Sequence, residues 1–221
     1  MFKALALKEL REAGWLALVA AGLHLAVVSN LIGLNLFTWL PMFPEKINEL
    51  PFTGTSFTGP FALVGCVLAI ALGFRQSAWE GMQGTYLFLL HRPVARSAIF
   101  ATKIGVGMVL LLLVNCIPVL WFADWAATPG HYPGPFEWRL TEPAWGWWCG
   151  FPLLYLGAFL SGIRPARWYG TRLYPLLASG MLLLVAEFLS PWWTICAGIA
   201  LTSSVLFATC IRTTIFARDY S

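Results

Sequence analysis

The sequence predicts an all-α polytopic membrane protein, and three features carry that reading. The 221 residues are 59% hydrophobic and only 11% charged, whereas a soluble globular domain carries about 25% charged residues. The apolar residues gather in runs close to the roughly 20 residues that a helix needs to cross a hydrocarbon core about 30 Å thick. These runs are continuously apolar, which selects helices over the alternating strands of a closed barrel.

Six spans are predicted, at residues 15–37, 58–74, 104–123, 145–163, 173–190 and 192–211. With a cytoplasmic N-terminus, the inner segments hold Lys3, Lys8, Arg11, Arg75, Arg92, Arg96, Lys103, Arg164, Arg167, Arg172, Arg212 and Arg218, 12 of the 14 basic residues; Lys46 and Arg139 fall outside. Basic residues near span ends set orientation, so both termini are expected in the cytoplasm, with the chain in the inner (cytoplasmic) membrane. The net charge of +4 then reports orientation and contact with the anionic headgroups of membrane lipids. No soluble basic domain offers a nucleic-acid surface, so no nucleic-acid partner is expected. Residues 1–221 form a single transmembrane domain without a fixed-period repeat.

Residues 1–13 place Phe2, Leu5, Ala6, Leu10 and Ala13 on one side and Lys3, Lys8, Arg11 and Glu12 around the other. This pattern predicts a short interfacial helix hinged at Gly14; the alternative is an extension of the first span. No small-residue cleavage site follows the first apolar run, so that run stays as a span. Within it, His24 reads either as a hydrogen-bonded core imidazole or as a ligand, and Asn30 can bridge helices. Glu187 reads either as a headgroup-level carboxylate or as a group lining a path. His24, Asn30 and Glu187 are therefore the candidates for a transport path.

The outer segments 38–57 and 124–144 are rich in proline and glycine and read as turns. Trp39, Trp121, Trp125, Trp138, Trp145, Trp147, Trp148, Trp192 and Trp193 collect at that level, as a girdle of membrane anchors or as a platform for carbohydrate or lipid. The five cysteines lie in or beside apolar runs without a Cys-x-x-Cys pair and read as small core residues. Only Ser190 and Pro191 separate the last two runs, which form either a tight hairpin or two re-entrant halves.

The most informative stretch lies between the second and third spans, at residues 75–103. Trp79, Met82, Tyr86 and Leu89/Leu90 recur at helical spacing. Arg92 precedes Pro93 and is steered out of the α region, which ends that helix. Pro93 then opens a second helix that runs through Lys103 into the third span. The result is a helix-break-helix elbow at the cytoplasmic surface, which without a partner is an amphipathic connector with basic lipid anchors.

Glu80, Gly84-Thr85, Leu89-Leu90, Pro93-Val94, Arg96 and Lys103 stand where type-2 ABC-transporter permeases carry Glu, Gly-Thr, Leu-Leu, Pro-Val-x-Arg and Lys, so the stretch resembles that family. The Lys8-Glu9-Leu10-Arg11 run is similar to how such permeases begin. The resemblance implies that the elbow is a coupling helix seated in a groove of an ATP-binding cassette subunit. Glu80 would anchor its base, Gly84 and Thr85 allow close approach, Leu89, Leu90, Pro93 and Val94 make the apolar contact, and Arg96 and Lys103 supply charge. His91 and Arg92 depart from the small or polar residues usual before that proline. Glu80 and Arg96 are expected to matter more for coupling than for folding.

The resemblance further implies a second permease copy or a homologue, with ATP and Mg on the partner ATPase and an outward direction of transport. The chain itself carries no phosphate-binding Gly-x-x-x-x-Gly-Lys-Ser/Thr motif, so no ATPase activity of its own is expected. His24, His91 and His131 are scattered, and no metal site or proteolytic dyad is expected. A membrane scaffold that recruits a cytoplasmic partner is the alternative from a different class.

Overall fold

The computed structural model describes residues 2–34, 50–52, 55–83, 95–131, 136–164, 171–188 and 193–217. These residues form α1 (Phe2–Leu31), α2 (Thr55–Gln76), α3 (Ala78–Met82), α4 (Arg96–Ala127), a 3-10 turn at Trp138–Thr141, α5 (Glu142–Ile163), α6 (Tyr174–Phe188) and α7 (Trp193–Ala217), with no β-strand among them. Five helical stretches are long and apolar enough to cross a membrane: Phe2–Leu31, Thr55–Met82, Arg96–Ala127, Trp138–Ile163 and Ala197–Ile215. The fifth expected span, 173–190, is shorter. Helix α6 has 15 residues, a rise of about 22 Å against a hydrocarbon core of about 30 Å. The last two runs are thus an unequal pair, one short helix and one long.

Helix α5 is the axis of the bundle, packed against α2, α4, α6 and α7. A helix apolar on every side belongs in the interior, and from Leu153 to Ile163 every residue of α5 is buried. Helix α2 lies close against it because Gly73 has no side chain: a Cβ there would stand 2.7 Å from both the Ala158 methyl and the Tyr155 carbonyl. Ser77 turns the chain between α2 and α3, its Oγ donating to the Gly73 carbonyl at 2.6 Å. Beyond α5, Arg172 donates to the exposed end carbonyls of Ser161 at 3.1 Å and Gly162 at 2.7 Å, which satisfies acceptors a helix terminus leaves open.

At the far end of α2, Phe52, Phe57, Phe61, Phe122 and Phe151 form a contiguous aromatic core with centroids 4.8 to 5.5 Å apart. Several girdle tryptophans join this core. Trp125 stacks between Phe122 and His131, and Trp148 donates its indole N–H to the Leu112 carbonyl at 3.0 Å. Trp138 does stand outward, 61% exposed. Cys210 also faces outward, unlike the core role expected of it.

The expected break at Gly14 is absent: α1 is one helix from Phe2 to Leu31. Its buried residues Glu9, Ala13, Ala17, Ala20, His24, Val27 and Leu31 recur every three or four positions, so one stripe runs through the segment read as interfacial into the span. The presumed anchoring side chains Phe2 and Leu10 point away from the bundle, 62% and 45% exposed. Three alanines on the stripe allow α1 to approach α4 and α2 closely. A Cβ on Gly14 would meet nothing within 4 Å, so Gly14→Ala should raise stability by about 0.5–1 kcal/mol, the cost of glycine inside a helix. Thermal unfolding in detergent tests this; a lowered midpoint would restore the hinge.

Candidate functional site

Where α1, the α2–α3 corner and α4 meet, charged side chains lie inside the bundle. Lys103, from the second turn of α4, has no exposed side-chain surface, and its Nζ donates to Glu9 Oε1 at 2.7 Å. The same ammonium pairs with Glu80 Oε1. Lys8, one-third exposed, reaches Glu80 Oε1 at 2.9 Å from the rim. Gln76 donates to the Lys103 carbonyl at 3.0 Å and lies 3.4 Å from Glu9 Oε2. Tyr155 of the central helix donates to Gln76 Oε1 at 2.6 Å. Gly107 gives this network its room, because a Cβ there would collide with Gln76 Oε1 and the Tyr155 hydroxyl.

The arrangement follows from electrostatics. An unpaired charge buried in a low-dielectric interior costs several kcal/mol. Two carboxylates against two ammonium groups remove the net charge, while Gln76 donates to Glu9 and Tyr155 in turn donates to Gln76. Arg75, the basic residue nearest to Glu80 in sequence, is instead turned to Glu12 at 3.7 Å and over the Trp79 ring at 5.6 Å.

Of the sequence-expected site residues, Glu80 and Lys103 come together, and both are core groups. The placement of Lys103 excludes its use as an exposed docking charge. Glu80 is buried, 2% exposed, and paired with Lys103. Arg96 is exposed at the first residue of α4. Gly84, Thr85, Leu89, Leu90, Arg92, Pro93 and Val94 lie outside the described residues. His24 is buried, its Nε2 3.0 Å from Asn115 Oδ1 and its ring 5.4 Å from Phe61, which is the hydrogen-bonded core imidazole. Asn30 is buried on the same helix, and Glu187 lies near the end of α6.

Glu9, Gln76 and Tyr155 were not anticipated as site residues. Glu9 had a legible signal, since it continues the small-residue stripe Ala13, Ala17 and Ala20 at helical spacing. Among the described residues no three of His, Cys, Asp and Glu gather as a metal-binding group. No family model, curated protein or solved structure matches the chain.

Replacing Lys103 with methionine leaves Glu9 and Glu80 facing each other in the interior. Lys103→Met should therefore cost about 3–5 kcal/mol, the usual penalty for breaking a buried ion pair from one side. Combining it with Glu9→Gln should recover part of that loss. Equilibrium unfolding in detergent measures both, and strict additivity would show that the pair does not interact.

Proposed function

We propose that the chain is the permease subunit of an ATP-driven type-2 ABC transporter, an exporter, coupled through residues 80–103 to a separate ATPase subunit that holds ATP and Mg. It works with a second permease copy or a homologue in the inner membrane, both termini cytoplasmic. The observation that best supports this reading is the Glu9–Lys103–Glu80 cluster. It fastens the two roots of the 84–94 segment, at α3 and α4, to each other and to α1. A push on that segment would therefore move three helices as a unit, because a buried ion-pair network has few alternative arrangements.

Arg96 supports the same reading from a different direction. A cation at a helix N-terminus is disfavoured by the helix dipole by about 0.3–1 kcal/mol, and the exposed Arg96 opens α4 in spite of that cost. A planar guanidinium fork suits a carboxylate or carbonyl on a docked subunit.

Co-purification with the candidate ATPase in mild detergent, followed by ATP hydrolysis measurements, tests the proposal. The complex should hydrolyse ATP and the chain alone should not. Arg96→Ala should keep the unfolding midpoint of the parent yet weaken subunit binding or transport-linked hydrolysis about tenfold, in line with the loss of one charged hydrogen bond. Arg139→Ala, exposed at the opposite end of the bundle beside Glu142, should leave both intact. Unchanged binding and hydrolysis in Arg96→Ala, or recruitment of a partner without nucleotide-linked transport, would leave the scaffold reading in its place.

A further inference from the structure

Beside the buried cluster, an open groove of about 500 Å³ runs between α1 and the α2–α3 corner. Trp15, Ala71, Phe74, Trp79 and Met82 supply its apolar walls, and among the described residues Arg75 is the one charged residue that lines it. The guanidinium sits over the Trp79 ring at 5.6 Å, which aims it across the groove mouth. Its contact to Glu12 is long, 3.7 Å, and Glu12 shares its carboxylate with Lys8 at 3.4 Å. A smaller groove of about 340 Å³ on the other side of α1 repeats the construction, with Lys3 beside Leu7, Leu10, Val106 and Val109.

An apolar trough closed by a single cation at the end of a span matches a molecule with a hydrocarbon tail and an anionic head. We propose that the groove between α1 and the α2–α3 corner holds one anionic phospholipid, its phosphate on Arg75 and an acyl chain along Trp15, Ala71 and Phe74. A free phosphate would leave the walls uncovered, and a zwitterionic lipid would bring a choline cation beside Arg75 along with its phosphate. The site rests on the membrane placement of these helices and is independent of the ATPase partner. Loss of ATPase co-purification would count against the permease reading and not against this site.

The test is native mass spectrometry of the full-length chain from bilayers containing equal phosphatidylglycerol and phosphatidylcholine. The parent should retain one phosphatidylglycerol in preference to phosphatidylcholine by about fivefold, the contribution of one basic residue near an anionic membrane surface. Arg75→Gln should abolish the preference and Arg75→Lys should keep most of it, since the phosphate needs a charge more than a fork. Ala71→Trp should expel the retained lipid by filling the trough. Glu12→Gln should strengthen the preference by removing the competing carboxylate, a gain that a folding defect cannot produce. No preference in the parent, an undiminished preference in Arg75→Gln or Ala71→Trp, or a weaker one in Glu12→Gln would overturn the proposal.

Discussion

An ammonium group without access to water has to be matched by negative charge, and the arrangement of α1, the α2–α3 corner and α4 depends on that match. Lys103 is satisfied by two carboxylates from chain segments far from it in sequence, Glu9 and Glu80. Each ion loses several kcal/mol of hydration, recovered only when geometry and secondary hydrogen bonds are both good. Hence the demand for small residues around the cluster. Ala13 and Ala17 bring α1 inward, Gly73 lets α2 approach α5, and Gly107 makes space for the Gln76–Tyr155 hydrogen bond.

Buried ion pairs do not by themselves stabilise a fold over an apolar core of the same volume. Their effect here is positional. A leucine core in this region would accept several offsets of α4 against α1, whereas an ammonium shared by two carboxylates accepts one. The aromatic core around Phe57, Phe61 and Phe122 provides bulk cohesion at the other end of the same helices, with the His24–Asn115 contact between them. The bundle thus has an apolar end held by packing and a charged end held by register, and α3 and the start of α4 belong to the second.

Much of this was readable from the residues. The run lengths gave the long helices, and Glu80 and Lys103 stood out as charges flanking a polar insert. Three things were hidden. Glu9 sits in a Lys-Glu-Leu-Arg run whose charge suggests an interface, and only its alignment with Ala13, Ala17, Ala20 and His24 marks the buried side of a continuous helix. Gly14 looked like a hinge because glycine lowers helix propensity, but packing on both sides of it outweighs that small penalty. Pairing was hidden too: Arg75 is nearer to Glu80 in sequence than Lys103 is, yet the Ser77 turn directs Glu80 inward and leaves Arg75 on Trp79. Sequence separation carries no information about which charges a bundle brings together.

The central claim is that Lys103 is held by Glu9 inside the bundle. Dipolar-coupling solid-state NMR on the full chain in lipid bilayers, with ¹⁵N-labelled lysine side chains and ¹³C-labelled glutamate carboxyls, measures that contact directly. Two of the four lysines, Lys8 and Lys103, should show a carboxyl carbon at about 3.5–4 Å, as a charge-assisted N–H···O bond requires, and Glu9→Gln should remove one of the two carboxyls coupled to Lys103 while the Glu80 coupling stays. A Lys103 ammonium with no carboxyl carbon in that range, or one that keeps two coupled carboxyls after Glu9→Gln, would contradict this arrangement.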